Sequence, residues 1–304
     1  MTHEQLRDAL AGVVAITVTP FDTDGDIDEK AYATLVERLL AGGVGVVTPN
    51  GNTSEFYALD RAETERAVDV TARTVGSRAT VLCGVGHDVA TATAAARYAQ
   101  RAGAAGIMIH QPVHPYVSLG GWVDYHRAIA EAVPDLGVVL YVRNPRIGGA
   151  QIAALGEACP NVVGVKYAVP DPVRFACVAR DAGLDRVTWV AGMAELSAPG
   201  YFAVGARGFT SGLANVAPEL SVRMHTALST GDNAAAMAVW ELVRPFEELR
   251  AADESANNVS VVKEALAQLG LCQRDVRPPS QVLDAARQGR IGAILASWEL
   301  RDDL

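Results

Sequence analysis

Lysine is nearly absent from this chain: 304 residues include three, Lys30, Lys166 and Lys263. Arginine carries most of the positive charge. Lys and Arg together number 26 against 35 Asp and Glu, for a net charge of −9. No block of basic residues occurs, so the electrostatic footprint of a binder of nucleic acid or of an anionic membrane is missing. No apolar run approaches the ~20 residues that span a bilayer. The first ten residues are amphipathic and charged, without the basic-then-apolar order of a secretion signal. Cys83, Cys159, Cys177 and Cys272 lack the spacing of a metal site or a redox pair, and they read as free thiols in a reducing compartment. What remains is the expectation of a cytoplasmic protein acting on a small molecule, without nucleic acid or membrane as partner. Half of the residues are apolar, enough for a large buried core.

The apolar residues recur as one repeated unit: a short run, a loop marked by Gly or Pro, then a helical pattern rich in Ala, Leu and Arg. The runs are Val13–Val18, Val44–Val47, Thr80–Cys83, Gly106–Ile109, Gly137–Tyr141, Val162–Lys166, Val187–Ala191 and Ala206–Phe209. Asp28 is placed to cap the helix that follows the first run, whose Leu35, Val36, Leu39 and Leu40 form a stripe ending at Gly42 and Gly43. Asp60 and Glu63 form a capping-box pattern for the next helix. Alternating strands and helices specify parallel pairing, and eight units predict an α/β fold, a (β/α)8 TIM barrel. An open doubly wound sheet is the alternative. Beyond Asn233 the segments 234–249, 259–269 and 280–300 have helical patterns and no strand follows. The reading is therefore a barrel over 1–231 and a C-terminal helical extension over 232–304.

Lys166 closes the run Val162-Val163-Gly164-Val165. Such a strand is buried on both faces, and burial at its end disfavours the ammonium form, which suits a lysine for imine formation near neutral pH. Barrel enzymes work at the C-terminal ends of their strands. The residues at those ends here are Asn52 and Thr53, His110 and His114, Tyr141, Lys166, and Gly192. Tyr141 ends the strand before Lys166, where a phenol can pass protons during imine chemistry. His110 and His114 are four apart, but Pro112 and Pro115 break the helix that would align them as metal ligands, so no metal is expected.

The segments Ala15-Ile16-Thr17-Val18-Thr19-Pro20-Phe21, Gly51-Asn52-Thr53-Ser54-Glu55, Tyr141 at its strand end and Val163-Gly164-Val165-Lys166 make the chain resemble the dihydrodipicolinate synthase and N-acetylneuraminate lyase superfamily over residues 12 to about 271. The resemblance implies a Schiff base between Lys166 and a 2-keto acid, with no cofactor beyond that imine, and Tyr141 as general acid and base. It implies that Thr53 and adjacent backbone amides hold the substrate carboxylate, that Glu55 is a loop-stabilising acceptor, and that Gly192 and Phe209 approach the keto acid with backbone. A homotetramer is implied too. Asn52 stands where dihydrodipicolinate synthases carry a relay hydroxyl, and an amide cannot pass a proton as a hydroxyl does, so the relay is lost or rebuilt around His114. The loop Phe56-Tyr57-Ala58-Leu59 and Arg143 two residues past Tyr141 look like the 5-dehydro-4-deoxyglucarate dehydratase branch, whereas Arg146 aligns with the arginine that grips the second substrate of dihydrodipicolinate synthases. Arg143, Arg146 and His114 are expected around a distal carboxylate. The expectation is a metal-independent lyase, a 2-keto-3-deoxy sugar-acid dehydratase or aldolase. The alternatives are 4-hydroxy-tetrahydrodipicolinate synthase and, from another class, a non-catalytic 2-keto acid binding protein. Lys263, in an amphipathic helical segment, is expected to be a packing stem with a surface or paired charge.

Overall fold

The computed structural model describes residues 1–298. Eight parallel strands, β1 (Val13–Ile16), β2 (Val46–Thr48), β3 (Thr80–Val85), β4 (Gly106–Ile109), β5 (Gly137–Val142), β6 (Val162–Tyr167), β7 (Thr188–Ala191) and β8 (Gly208–Ser211), close into a barrel in sequence order. β1 pairs with both β2 and β8, so no strand edge is left open. The eight apolar runs coincide with these strands. The last one begins two residues later than its run and extends through Thr210 and Ser211, because polar side chains at the functional end of a strand are not part of an apolar pattern.

A short helix α1 (His3–Ala9) precedes the barrel, and α2 (Glu29–Ala41), α3 (Arg61–Val75), α4 (Val89–Arg101), α5 (Leu119–Glu131), α6 (Gly149–Ala158), α7 (Pro172–Ala182), α8 (Ala194–Phe202) and α9 (Pro218–Thr230) follow the strands in turn. Their starts are fixed chemically. Asp28 accepts from the Ala31 amide, Asp60 and Glu63 form a reciprocal capping box, and Asp171 accepts from the Arg174 amide with Pro172 in the first turn. Three further helices close the described chain: α10 (Asn233–Ser255), α11 (Asn258–Gln268) and α12 (Ala285–Ser297). The helix expected over 280–300 starts at Ala285, where Asp284 accepts from the Arg287 amide; residues 299 and 300, like the rest of 299–304, lie outside the described residues.

Alternation along each strand separates two cores. Val138, Leu140, Val142, Val165 and Tyr167 face the surrounding helices within the larger cluster. Val139, Tyr141, Val163 and Val190 point into the barrel with Val14, Ile16, Val46, Leu82 and Met108. Leu6 and Leu10, both fully buried, join that inner cluster from α1. The interior is thus a packed plug of side chains, and open space is left at the C-terminal mouth.

Candidate active site

Inward alternation decides which side chains reach the mouth. On β5, Val139 and Tyr141 both point inward; on β6, a register shift against Val138 and Val139 breaks the alternation, so that Val163 and Lys166, three residues apart, both point inward as well. The register pairs Tyr141 directly with Lys166, and the Lys166 Nζ lies 4.4 Å from the centre of the Tyr141 ring. Lys166 is 5% exposed. Burial, reinforced by the guanidinium groups of Arg143 and Arg250, lowers its pKa to about 7. A large fraction of the amine is therefore unprotonated near neutrality. Burial pushes the Tyr141 phenol upward, while Arg143 and Asn52 oppose that rise. Asn52 Nδ2 donates to Tyr141 Oη at 3.2 Å, leaving the phenolic proton free for another acceptor.

Both residues line a cavity of about 250 Å³ at the mouth, together with Asn52, Thr53, Arg143, Gly192, Thr210 and Arg250. Thr53 belongs to a 3-10 turn, Asn52–Ser54, after β2. The turn is locked to β1: Ser54 Oγ donates to the Thr17 carbonyl and accepts from the Gly51 amide, and Thr19 Oγ1 donates to the Ser54 carbonyl. The first-turn amides of any helix lack intrahelical acceptors, so this turn offers N–H donors beside a hydroxyl. Gly192 follows β7, and a Cβ there would meet the Tyr167 carbonyl oxygen at 2.8 Å, so the chain passes this point only without a side chain. Ala194, also lining the cavity, holds φ at 55°, a left-handed strain that tends to accumulate at functional sites.

Not every expected residue joins this group. His114 is exposed, and its Nδ1 bonds within its own turn to Tyr116 and not to Tyr141. Arg146 is exposed too and donates to the Val117 carbonyl. Phe209, expected to offer its backbone alone, has its side chain facing outward, into the helices against Phe202 and His225, while the adjacent Thr210 points into the cavity. His110, rather than His114, is the histidine near the centre. It is fully buried, stacks on Phe56 at 4.5 Å and donates through Nε2–H to the Asn50 carbonyl at 2.8 Å, and burial lowers its pKa to about 4. Among the described residues no group of three or more His, Cys, Asp or Glu side chains converges as a metal site would require.

Sequence reading missed the contribution of α10 and α11. Glu247, Arg250, Ala251, Ser255 and Asn258 also line the cavity. Their spacing is helical and lies far from any strand end, so nothing local marks them. α10 departs from helical geometry at Ala252, and Asp253, Glu254 and Ser255 take φ of 53°, 57° and 69°, which turns the chain over the mouth.

The model of the dihydrodipicolinate synthetase family matches residues 9–297. This chain belongs to that family. Among curated relatives, a probable 5-dehydro-4-deoxyglucarate dehydratase of Rhizobium rhizogenes is 32% identical over 92% of this chain and 93% of the relative. A 4-hydroxy-tetrahydrodipicolinate synthase of Hyphomonas neptunium is 33% identical over 94% of this chain and 97% of its own. Among solved structures, the dihydrodipicolinate synthase from Bacillus clausii is 40% identical, with a TM-score of 0.93 over 97% of this chain and 100% of that one. Both relatives and structure are similar along nearly the whole length, and the family's lyases and dehydratases set the class of chemistry for the mouth just described.

Proposed function

We propose that this protein is a metal-independent lyase that forms a Schiff base between Lys166 and a 2-keto acid. The observation that carries the proposal is the pairing of Lys166, buried with its pKa lowered to about 7, with an inward-facing Tyr141 at the adjacent register position. The neutral amine attacks the C2 carbonyl, water leaves, and an iminium ion results. Tyr141 supplies and removes the protons, while Thr53 and the amides of its turn receive the carboxylate. Loss of a C3 proton gives the enamine. From a 2-keto-3-deoxy sugar acid, the enamine expels the C4 hydroxyl, which takes up a proton and leaves as water; in retro-aldol cleavage the C3–C4 bond of the iminium breaks instead as the C4 hydroxyl gives up its proton, releasing an aldehyde and leaving the enamine.

Arg143 lines the cavity beyond Tyr141, where a guanidinium suits a second carboxylate. The reading is therefore a 2-keto-3-deoxy sugar-acid dehydratase or aldolase, of the kind named in the Rhizobium rhizogenes relative. Condensation of pyruvate with aspartate semialdehyde is the second reading, favoured by the Hyphomonas neptunium relative and the Bacillus clausii structure. The exposed, outward-bonded Arg146 weakens it. We place the protein in the cytoplasm as a homotetramer, with a small-molecule keto acid as partner and the barrel 1–231 and helical region 232–304 sharing one site. Incubation with pyruvate and borohydride should add a pyruvate-derived mass at Lys166. A panel of 2-keto-3-deoxy mono- and diacids, with the semialdehyde alongside, then assigns the substrate. A binding protein without turnover would give no product from any member of the panel.

A further inference from the structure

A chain of polar contacts runs from the C-terminal helices to the hydroxyl of Thr53. Glu247 and Arg250 are both buried on α10, and Arg250 Nη1 donates to Glu247 Oε1 at 2.5 Å. Arg250 Nη2 donates to Asn258 Oδ1 at 2.6 Å. Asn258 Nδ2, at the start of α11, donates to Thr53 Oγ1 at 3.4 Å, the long end of the hydrogen-bond range. The guanidinium lies flush on the backbone after β8, since a Cβ at Gly212 would stand 2.2 Å from Arg250 Nη2.

The polarity of this chain has one solution. An ionised carboxylate only accepts and a guanidinium only donates, so the amide at Asn258 must turn its oxygen to Arg250 and its NH2 to Thr53. A hydroxyl has one proton. With its oxygen engaged by the amide, Thr53 has that proton left for an acceptor in the cavity that also holds Lys166. An anionic oxygen is the acceptor such a directed donor suits.

We propose that Arg250 and Asn258 are positioning residues that set the direction of the Thr53 hydroxyl so that its proton faces the carboxylate of the 2-keto acid. The inference rests on the reading that Lys166 forms an imine with such an acid. It assigns the helices after the barrel a part in substrate recognition: they supply no group to the reacting carbon, but they choose which way a barrel side chain donates.

Pyruvate itself is the probe, and the quantity measured is the pyruvate concentration that half-saturates borohydride trapping at Lys166. Asn258→Ala should raise it about tenfold, the scale of one hydrogen bond to a charged group. Asn258→Asp is isosteric and keeps the Arg250 contact, so a purely structural role predicts a milder effect than alanine. The relay predicts the reverse, because an aspartate accepts the Thr53 proton and turns it from the substrate. Arg250→Lys keeps the positive charge but loses the fork that fixes the amide, so it should match Asn258→Ala while leaving the pH profile of trapping unchanged. In a Thr53→Val background the difference between Asn258→Ala and Asn258→Asp should collapse to within about twofold. An aspartate effect of equal size in both backgrounds would assign it to charge repulsion and overturn the relay, as would wild-type pyruvate dependence in Asn258→Ala. Absence of trapping in the unsubstituted protein is a separate result: it removes the Schiff-base reading, and the relay with it.

Discussion

Glu55 and Lys263 form a buried ion pair, with Lys263 Nζ 2.5 Å from Glu55 Oε1 and side chains 2% and 0% exposed. Glu55 directly follows the turn that carries Thr53 and has left-handed backbone, φ 60°. Its second oxygen accepts from the Arg277 amide at 2.7 Å. Lys263 also donates to the Asp275 carbonyl at 2.7 Å and lies 4.0 Å from the centre of the Phe21 ring. Burial lowers the Lys263 pKa and Glu55 works against that shift. The strained turn is thus held from α11 and the segment after it, and the pair binds loop and helix into one unit.

Removing one member of a buried pair leaves the other charge without compensation, at a cost of roughly 3–5 kcal/mol. Lys263→Met should therefore lose stability on that order in denaturant unfolding and weaken pyruvate binding through the released turn. The double variant Glu55→Gln, Lys263→Met should recover part of the loss. A Lys263→Met protein as stable as wild type would show that the pair does not hold the turn.

Lys166→Ala should abolish both borohydride trapping and turnover. Tyr141→Phe should still trap pyruvate, since the amine remains, but turn over about 10²-fold more slowly, the scale of a lost general acid and base. Steady-state rates beside mass spectrometry of the trapped protein separate the two roles. Undiminished turnover in Tyr141→Phe would reassign the proton transfer, with buried His110, its ring centre 6.0 Å from that of Tyr141, an alternative by position.

The barrel and the placement of Lys166 and Tyr141 at its mouth were legible in the sequence because both follow from short-range pattern. Eight apolar runs punctuated by turns specify the strands, and a lysine ending such a run falls at the mouth by the geometry of the fold. Alternation could also have been applied further: Phe209 and Thr210 are neighbours, and only one of them points inward, as β8 places Thr210. Arg250 and Asn258 were not legible, because their approach to Thr53 depends on where α10 ends and on the left-handed residues that turn the chain back. His114 and Arg146 follow their strands as read, but whether such side chains turn inward is decided by loop conformation, and here they are exposed and bonded to the Tyr116 and Val117 carbonyls.

Arg143 and Arg146 differ in placement and should differ in effect. Arg143 lines the cavity and Arg146 does not. If Arg143 receives a distal carboxylate, Arg143→Ala should reduce kcat/KM for a 2-keto-3-deoxy diacid by about 10- to 100-fold, the range for one charge-assisted hydrogen bond or a bidentate pair. Assayed at a pH above the rising limb of imine formation, where the Lys166 amine is neutral in both proteins, the monoacid should change little, and Arg146→Ala should leave both within about twofold. Equal losses on mono- and diacid would place Arg143 at the reacting centre instead of at substrate selection.

The pH dependence of imine formation tests the electrostatics directly. With Lys166 lowered to about 7, the initial trapping rate should rise with pH around that value and level off above it, as the neutral amine becomes the dominant form. A neighbouring cation lowers a lysine pKa, so Arg143→Ala should move the rising limb to higher pH and Arg143→Lys should hold it in place. The same shift has a stability consequence of known sign. Between about 7 and the ordinary lysine value of 10.5 the folded chain binds fewer protons at Lys166 than the unfolded chain, so stability from this group rises with pH across that window. Below it, the charged amine is buried at full cost. Lys166→Met should accordingly be more stable than the wild type, most of all at pH 6, with the advantage shrinking as pH rises through the window; a constant advantage at every pH would mean that Lys166 titrates normally and that burial does not set its reactivity.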